Sequence, residues 1–155
     1  MKNILFVCTG NSCRSVMADV LFKRMAADKN EKYSVGSAGV FAMDGYPPTQ
    51  ETIRVMNEEG VDVSGHRSRR LTFDLVRAAD KIYVMEFVHK AAVLSSWPET
   101  LEKVFLMTEF SSNPKKKKEE INIPDPIHRA DLFYKEVLGT IRDCVQNIVK
   151  NLEAG

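Results

Sequence analysis

Residues 4–15 read Ile4-Leu5-Phe6-Val7-Cys8-Thr9-Gly10-Asn11-Ser12-Cys13-Arg14-Ser15, and this stretch decides the fold of the chain. Its first four residues are apolar without interruption, as expected of a strand buried on both faces of a parallel sheet. The residues that follow are small and turn-prone, and from about Ser15 onward apolar residues recur at helical spacing. The stretch therefore predicts a strand, a tight loop and the start of a helix.

A loop between a strand and a helix start favours an anion. It turns successive backbone N–H groups toward one point, and the helix adds the positive end of its dipole. Arg14, at the end of the loop, would add a planar guanidinium that can hold two phosphate oxygens. Cys8, at the beginning, would lie at the base of the pocket, where these groups favour its thiolate form. We predict that Cys8 is a nucleophile directed at phosphorus rather than a buried thiol at a strand end.

The rest of the chain alternates strand and helix patterns, which is typical of a parallel α/β sheet. Further strands are predicted at residues 33–37, 81–85 and 103–106, and a closing helix carries an apolar stripe from Tyr134 to Leu152. Residues 111–124 are predicted to lack regular structure. We expect one α/β domain, a three-layer sandwich whose four-stranded parallel sheet has the first strand in its centre. Cys8 would then stand at the carboxyl end of that strand, where such sheets bind ligands.

Length and composition fit a single domain over residues 1–155, since 44% hydrophobic residues can fill one core. The net charge of +1 gives no support to a nucleic-acid or membrane-surface partner. The sequence shows no signal-peptide pattern and no apolar span of about 18 residues. Three cysteines are too few for a secreted disulfide framework, so we expect a cytoplasmic protein with reduced thiols.

Hydrolysis of a phosphomonoester also requires an acid that protonates the leaving group. The best candidate is Asp125, because Pro126 restricts its backbone and a loop would bring it within reach of the pocket. A turn-forming Asp-Pro pair is the alternative interpretation. After attack by Cys8, water would hydrolyse the cysteinyl-phosphate with Asp125 as the base. This scheme requires no metal and no other cofactor.

Four motifs in order resemble the low-molecular-weight protein-tyrosine-phosphatase family, and the resemblance spans nearly the whole chain. The motifs are Cys8-x5-Arg14-Ser15, Ser37-Ala38-Gly39, Ser64-Gly65-His66-Arg67-Ser68-Arg69 and Asp125-Pro126. The resemblance implies a small flavodoxin-like α/β sandwich and a cysteine-dependent phosphatase. It also implies that Asp125 is the acid.

The resemblance assigns the supporting residues as well. It implies that Ser15 donates its hydroxyl to the Cys8 thiolate, although a helix N-cap is an equally natural use of this serine. It implies that Asn11 and His66 brace the loop through a hydrogen bond. As partners we expect a phosphorylated protein, with inorganic phosphate or another oxyanion in the loop, and a monomeric enzyme. The residues expected to bind phosphate are Thr9, Gly10, Asn11, Ser12, Cys13 and Arg14.

The substrate is open between phosphotyrosine and phosphoarginine. Tyrosine-directed members of the family usually carry aromatic residues after the Asp-Pro pair, whereas Ile127 follows it here. Phe41, Tyr46 and Trp97 are candidates to supply an aromatic wall from other loops. The phosphate loop is also similar to the protein-arginine-phosphatase branch, which prefers a threonine at the position of Ser12. We expect phosphotyrosine hydrolysis, with protein-arginine phosphatase as the alternative.

Three other classes of function are weighed against this one. Arsenate reductases share the fold and the loop but relay oxidation through cysteines near mid-chain, and none lies between Cys13 and Cys144. A phosphate-binding module without turnover would use the same loop. A zinc module built on Cys8, Cys13 and two histidines lacks a paired-histidine motif, and Arg14 would oppose the cation.

The remaining cysteines and histidines have weaker interpretations. Cys13 lies close to Cys8 along the loop, so peroxide would convert the pair into a reversible disulfide, and a packing role for Cys13 is equally compatible. Cys144 lies beside the apolar stripe of the last helix and is interpreted as a buried filler. His89 and His128 are interpreted as structural or solvent-facing.

Overall fold

The computed structural model describes residues 1–155 and shows a four-stranded parallel sheet with the strand order β2-β1-β3-β4. The predicted α/β architecture is confirmed. In chain order the strands and α-helices are β1 (Lys2–Cys8), α1 (Arg14–Met25), β2 (Tyr33–Gly39), α2 (Gln50–Glu58), α3 (Phe73–Ala78), β3 (Lys81–Val84), α4 (Phe87–Ser96), β4 (Val104–Leu106), α5 (Pro114–Lys118) and α6 (Asp131–Ala154). Short 3₁₀ turns cover Ala27–Lys29, Pro98–Lys103 and Met107–Phe110.

The register of the sheet brings the carboxyl ends of its strands to one edge. Cys8, the last residue of β1, pairs with Gly39 at the end of β2. On the other side Val7 pairs with Val84, which in turn pairs with Leu106 of β4. Because β1 is an inner strand, the loop after Cys8 lies between the loops that follow β2 and β3. This edge is where a parallel sheet binds its ligands.

Helices cover the sheet on both faces and bury it from water. One face packs against α1 and α6 in the larger apolar core, and the other packs against α3 and α4 in a smaller one. No helix, including the 24-residue α6, combines the length and the apolar character needed to cross a membrane. The predicted stripe of α6 is buried throughout, at Tyr134, Val137, Leu138, Ile141, Val145, Ile148 and Leu152.

The prediction that residues 111–124 lack regular structure is wrong, because the lysine-rich part of this segment forms α5. Asn113 caps the helix by accepting a hydrogen bond from Lys115 N at 3.0 Å. Pro114 occupies the first turn, where its missing N–H has no helical partner to lose. Local capping therefore outweighs the repulsion within the lysine run, helped by the pairing of Lys115 and Lys116 with Glu120.

Candidate active site

Cys8 lies at the base of the loop between β1 and α1, with only 2% of the residue exposed. Asn11 N–H donates to Cys8 Sγ at 3.3 Å, and Ser15 Oγ lies 3.0 Å from the sulfur. Ser15 Oγ itself accepts from Asn11 Nδ2 at 2.8 Å, which leaves the serine proton free to point at the sulfur. Two donors converging on one sulfur stabilise a thiolate over a thiol.

Asn11 ties the loop to two other segments, β2 and residues 66–69. Its φ of +54° lies in the left-handed region, which asparagine tolerates better than most residues. Besides Ser15, its Nδ2 donates to Ser37 Oγ at 3.0 Å, and its Oδ1 accepts from Arg69 N at 3.0 Å. His66 Nε2 lies 3.0 Å from the Asn11 carbonyl. Every polar group of this fully buried residue is therefore used, and the loop is held in one shape.

Gly39, at the end of β2, lets the loop approach the sheet. A Cβ at this position would lie 2.5 Å from Thr9 O and 2.9 Å from Asn11 N, so no other residue fits without displacing the loop backbone. The next residues are also tied to the loop, since Val40 N donates to Cys8 O at 2.9 Å. The glycine of the Ser-Ala-Gly motif is thus required by close packing.

Arg14 is buried, at 1% exposure, and its guanidinium is held by Thr9 of the loop and by two other segments. Nη1 donates to Glu86 Oε2 at 2.5 Å and to the Ile123 carbonyl at 2.7 Å. Nη2 donates to Thr9 Oγ1 at 3.3 Å and lies 3.7 Å from Asp125 Oδ2. Because both hydrogens of Nη1 are donated to protein groups, Nε and Nη2 are the nitrogens that can donate to a ligand.

His89 is buried beside the loop, so of its two interpretations the structural one fits and the solvent-facing one is wrong. Its side chain is 1% exposed, its Nδ1 accepts from Glu86 N at 3.1 Å, and its Nε2 lies 2.8 Å from Thr9 Oγ1. Burial, together with the positive charge of Arg14, lowers the pKa of His89 to about 4. Sequence reasoning missed both Glu86 and His89, although a Glu-x-x-His pattern at the carboxyl end of a neighbouring strand was a usable signal.

Asp125 approaches the loop from an exposed segment. Its side chain is 40% exposed, and its Oδ1 accepts a hydrogen bond from Ile127 N at 3.0 Å. The segment is anchored on both sides, since Ile123 and Pro126 are buried. Ile123 N donates to the carbonyl of Met85, just after β3, at 2.9 Å. The carboxylate therefore reaches the site from solvent while its flanks stay fixed.

The cavity over Cys8 has a volume of about 100 Å³, enough for a tetrahedral anion. Phe41 and Tyr46 are exposed and Trp97 packs toward Phe73, so none of the three candidate aromatic residues lines this cavity. Ile127 takes part in the wall instead. The lining residues are Cys8, Thr9, Gly10, Ser12, Cys13, Arg14, Asp125 and Ile127.

The other two cysteines differ in their surroundings. Cys13 precedes α1 as its N-cap residue, so the N-cap interpretation of Ser15 is wrong. Its sulfur lies 3.6 Å from Thr49 Oγ1 and 3.8 Å from the Tyr134 hydroxyl, and its disulfide with Cys8 stays a prediction. Cys144 is fully buried, and burial raises the pKa of its thiol to about 12, as befits an inert filler.

A cysteine and an arginine on one loop, at the carboxyl edge of a parallel sheet, are the arrangement typical of cysteine-dependent phosphatases. More particularly, the chain belongs to the family described as low molecular weight phosphotyrosine protein phosphatase, whose profile matches residues 3–155.

Relatives and solved structures agree with this assignment. The low molecular weight protein-tyrosine-phosphatase Ptp of Acinetobacter johnsonii is 32% identical, covering 97% of this chain and 98% of its own length. The protein-arginine-phosphatase of Bacillus subtilis is 30% identical over 97% of each chain. The low molecular weight protein tyrosine phosphatase of T. tengcongensis superposes with a TM-score of 0.86 at 31% identity, covering 97% and 99% of the two chains. The tyrosine phosphatase Wzb of Escherichia coli K30, solved in complex with sulphate, has a TM-score of 0.85 at 28% identity, with coverages of 97% and 98%.

Proposed function

We propose that this protein hydrolyses phosphotyrosine in phosphorylated proteins through a cysteinyl-phosphate intermediate. The observation that carries the proposal is the convergence of Cys8, Arg14 and Asp125 on one cavity at the end of β1. These three side chains supply the nucleophile, the positive charge and the acid that the reaction needs. Membership of the phosphatase family supports the same reaction.

The reaction proceeds in two displacements at phosphorus. In the first, the Cys8 thiolate forms an S–P bond while the bond between phosphorus and the tyrosine oxygen breaks, and Asp125 gives its proton to that oxygen. In the second, Asp125 takes a proton from water, the water oxygen attacks phosphorus and the S–P bond breaks. Inorganic phosphate leaves, and the thiolate and the protonated acid are restored.

Arg14 binds the equatorial oxygens of the phosphoryl group. Its Nη1 is fixed by Glu86 and Ile123, so the guanidinium presents Nε and Nη2 without reorganising during the reaction. Other backbone amides of the loop would supply the remaining donors, in the manner of anion sites at helix starts. Asn11 N–H and the Ser15 hydroxyl lower the energy of the thiolate both before attack and as it leaves.

The physiological setting is part of the proposal. A thiolate nucleophile requires a reducing compartment, and all three cysteines are free, which supports a cytoplasmic enzyme. The proposal takes a single chain as the active species. Phosphotyrosine is favoured over phosphoarginine by the family assignment, although the relatives include a protein-arginine-phosphatase.

The test is a comparison of hydrolysis rates on matched phosphotyrosine and phosphoarginine peptides. We expect faster turnover of phosphotyrosine by the natural chain and loss of at least about 10³-fold in kcat for Cys8→Ser. Asp125→Ala should lower kcat on phosphotyrosine while leaving the melting temperature unchanged. Cys144→Ala is the matched control and should behave as the natural chain. Undiminished hydrolysis by Cys8→Ser would contradict the mechanism, and a preference for phosphoarginine would contradict the substrate.

A further inference from the structure

Thr9 follows the nucleophile in the chain, and its hydroxyl oxygen is approached by two nitrogen donors. Arg14 Nη2 donates to Thr9 Oγ1 at 3.3 Å, and His89 Nε2 lies 2.8 Å from the same oxygen. Both partners are buried, at 1% exposure each. Thr9 also lines the cavity over Cys8. This hydroxyl therefore connects the cavity to α4.

The second contact of His89 determines which of its nitrogens carries the proton. Glu86 N–H donates to Nδ1 at 3.1 Å, so Nδ1 acts as an acceptor and is unprotonated. The lowered pKa of about 4 keeps the ring neutral near pH 7, and its single proton then resides on Nε2. His89 is therefore the donor to Thr9, and Thr9 Oγ1 is the acceptor.

A threonine hydroxyl offers two lone pairs and one proton. Arg14 and His89 occupy both lone pairs, and no third protein atom lies within hydrogen-bond distance of Thr9 Oγ1. The hydroxyl proton is thus left for a group inside the cavity. On the basis of the proposed function, we infer that the Thr9 hydroxyl donates a hydrogen bond to an equatorial oxygen of the transferring phosphoryl group. His89 is the positioning residue that gives the hydroxyl this direction.

Glu86 links this arrangement to the arginine. Its carboxylate accepts from Arg14 Nη1, and its backbone N–H sets the tautomer of His89. Glu86, which follows β3, therefore orients both the guanidinium of Arg14 and, through His89, the hydroxyl of Thr9. The proton stays on Thr9 throughout, so no bond to it forms or breaks. The added hydrogen bond is directed at an equatorial oxygen as the phosphoryl group becomes planar in the transition state, and a donor that fits this geometry best raises kcat more than it lowers KM.

Substitutions at Thr9 test the hydroxyl directly. Thr9→Val removes the hydroxyl with little change in shape, and we expect kcat to fall by about 10- to 100-fold with KM changed less than about threefold. Thr9→Ser keeps the hydroxyl and should recover most of that loss. Thr140→Val, a threonine on α6, is the matched control for the loss of a hydroxyl elsewhere. Kinetics are measured on one phosphotyrosine peptide, together with the melting temperature of each variant.

Substitutions at His89 distinguish its contact with the Thr9 hydroxyl from its contact with Glu86 N–H at the start of α4. In His89→Asn the amide oxygen can take the place of Nδ1 and keep the contact with Glu86 N, but the side chain is too short to reach Thr9. In His89→Gln the amide nitrogen can take the place of Nε2 and reach Thr9. We expect a 10-fold or larger loss of kcat for His89→Asn, smaller loss for His89→Gln, and no further loss when His89→Asn is added to Thr9→Val.

Two outcomes would overturn the inference. One is a Thr9→Val enzyme with the kcat of the natural chain. The other is a His89→Asn loss of kcat that persists in full in the Thr9→Val background or follows the melting temperature. Either result leaves the proposed function intact as long as turnover still depends on Cys8. If the natural chain does not turn over the phosphotyrosine peptide, the proposed function itself fails.

Discussion

The phosphate loop, residues 8–15, and the acid segment, residues 119–130, face one cavity but are held in opposite ways. In the loop Cys8, Asn11 and Arg14 are at most 2% exposed, and hydrogen bonds join them to β2, to residues 66–69 and to the region after β3. In the acid segment Asp125 is 40% exposed in its side chain and has one hydrogen bond, to Ile127 N two residues away.

The difference agrees with the role that the proposed mechanism gives to each region. The loop presents fixed charge to a transition state, and a donor that needs no reorganisation stabilises that charge most. An acid must instead exchange its proton with water once in every cycle, which an exposed carboxylate does readily. Changes in the loop should therefore affect activity and stability together, whereas changes in the acid segment should affect activity alone.

The largest effect is expected from Arg14→Lys. Lysine keeps the charge and can still pair with Glu86, but it replaces a fixed planar fork by a single flexible ammonium. We expect kcat/KM on a phosphotyrosine peptide to fall by about 10³-fold. Arg24→Lys, at the other end of α1, is the matched control and should stay within about twofold. A loss below tenfold for Arg14→Lys would show that charge without geometry is sufficient.

The next effect is a loss of stability in the phosphate loop that a change near the acid segment should not produce. Asn11→Ala leaves the hydroxyls of Ser15 and Ser37 and the N–H of Arg69 without their buried partner, and it places alanine at a positive φ. We expect the free energy of unfolding to fall by about 3 kcal/mol, measured by urea denaturation. Asn113→Ala, which removes the cap of α5 beside the acid segment, should cost about 1 kcal/mol or less. Equal losses would remove the distinction between the two regions.

Asp125→Asn should reduce activity without reducing stability. We expect kcat to fall by about 10²-fold on a phosphotyrosine peptide and clearly less on p-nitrophenyl phosphate, whose leaving group needs little help from an acid. The melting temperature should stay within about 1 °C, because the carboxylate is exposed. Equal losses of kcat on the two substrates would contradict the role of Asp125 as the acid.

The effect of pH is the smallest when it is expressed per pH unit. The pKa of His89 in the folded protein is lowered from 6.5 to about 4, so between these values the unfolded chain binds a proton that the folded protein does not. The free energy of unfolding should therefore fall as the pH falls from 6.5 toward 4, by at most about 1.4 kcal/mol per pH unit from this residue. The free energy of unfolding, measured by urea denaturation at a series of pH values, should depend on pH differently in the natural chain and in His89→Gln only in this window. Parallel curves would show that the folded protein accommodates a protonated His89.

The sequence predicted the elements that depend on neighbouring residues. The strand ending at Cys8, the loop after it and the stripe of α6 follow from short-range patterns, and the structure has them where they were expected. The helix α5 was missed because a helix of 5 residues shows no hydrophobic periodicity, and its cap at Asn113 was overlooked. His89 was not assigned to the site because the Glu-x-x-His spacing was overlooked and because its contact with Thr9 joins residues 80 positions apart.

By itself, the sequence determined the order of strands and helices and the spacing of Cys8 and Arg14 around one loop, because backbone conformation and hydrophobic periodicity are properties of adjacent residues. Only the tertiary structure decided which distant groups complete the site. Glu86 and His89 meet Arg14 and Thr9 across more than 70 residues of chain because β3 lies beside β1 in the parallel sheet. Contacts between residues so far apart in the chain depend on tertiary packing. That packing orients the guanidinium of Arg14 and leaves the carboxylate of Asp125 exposed to water.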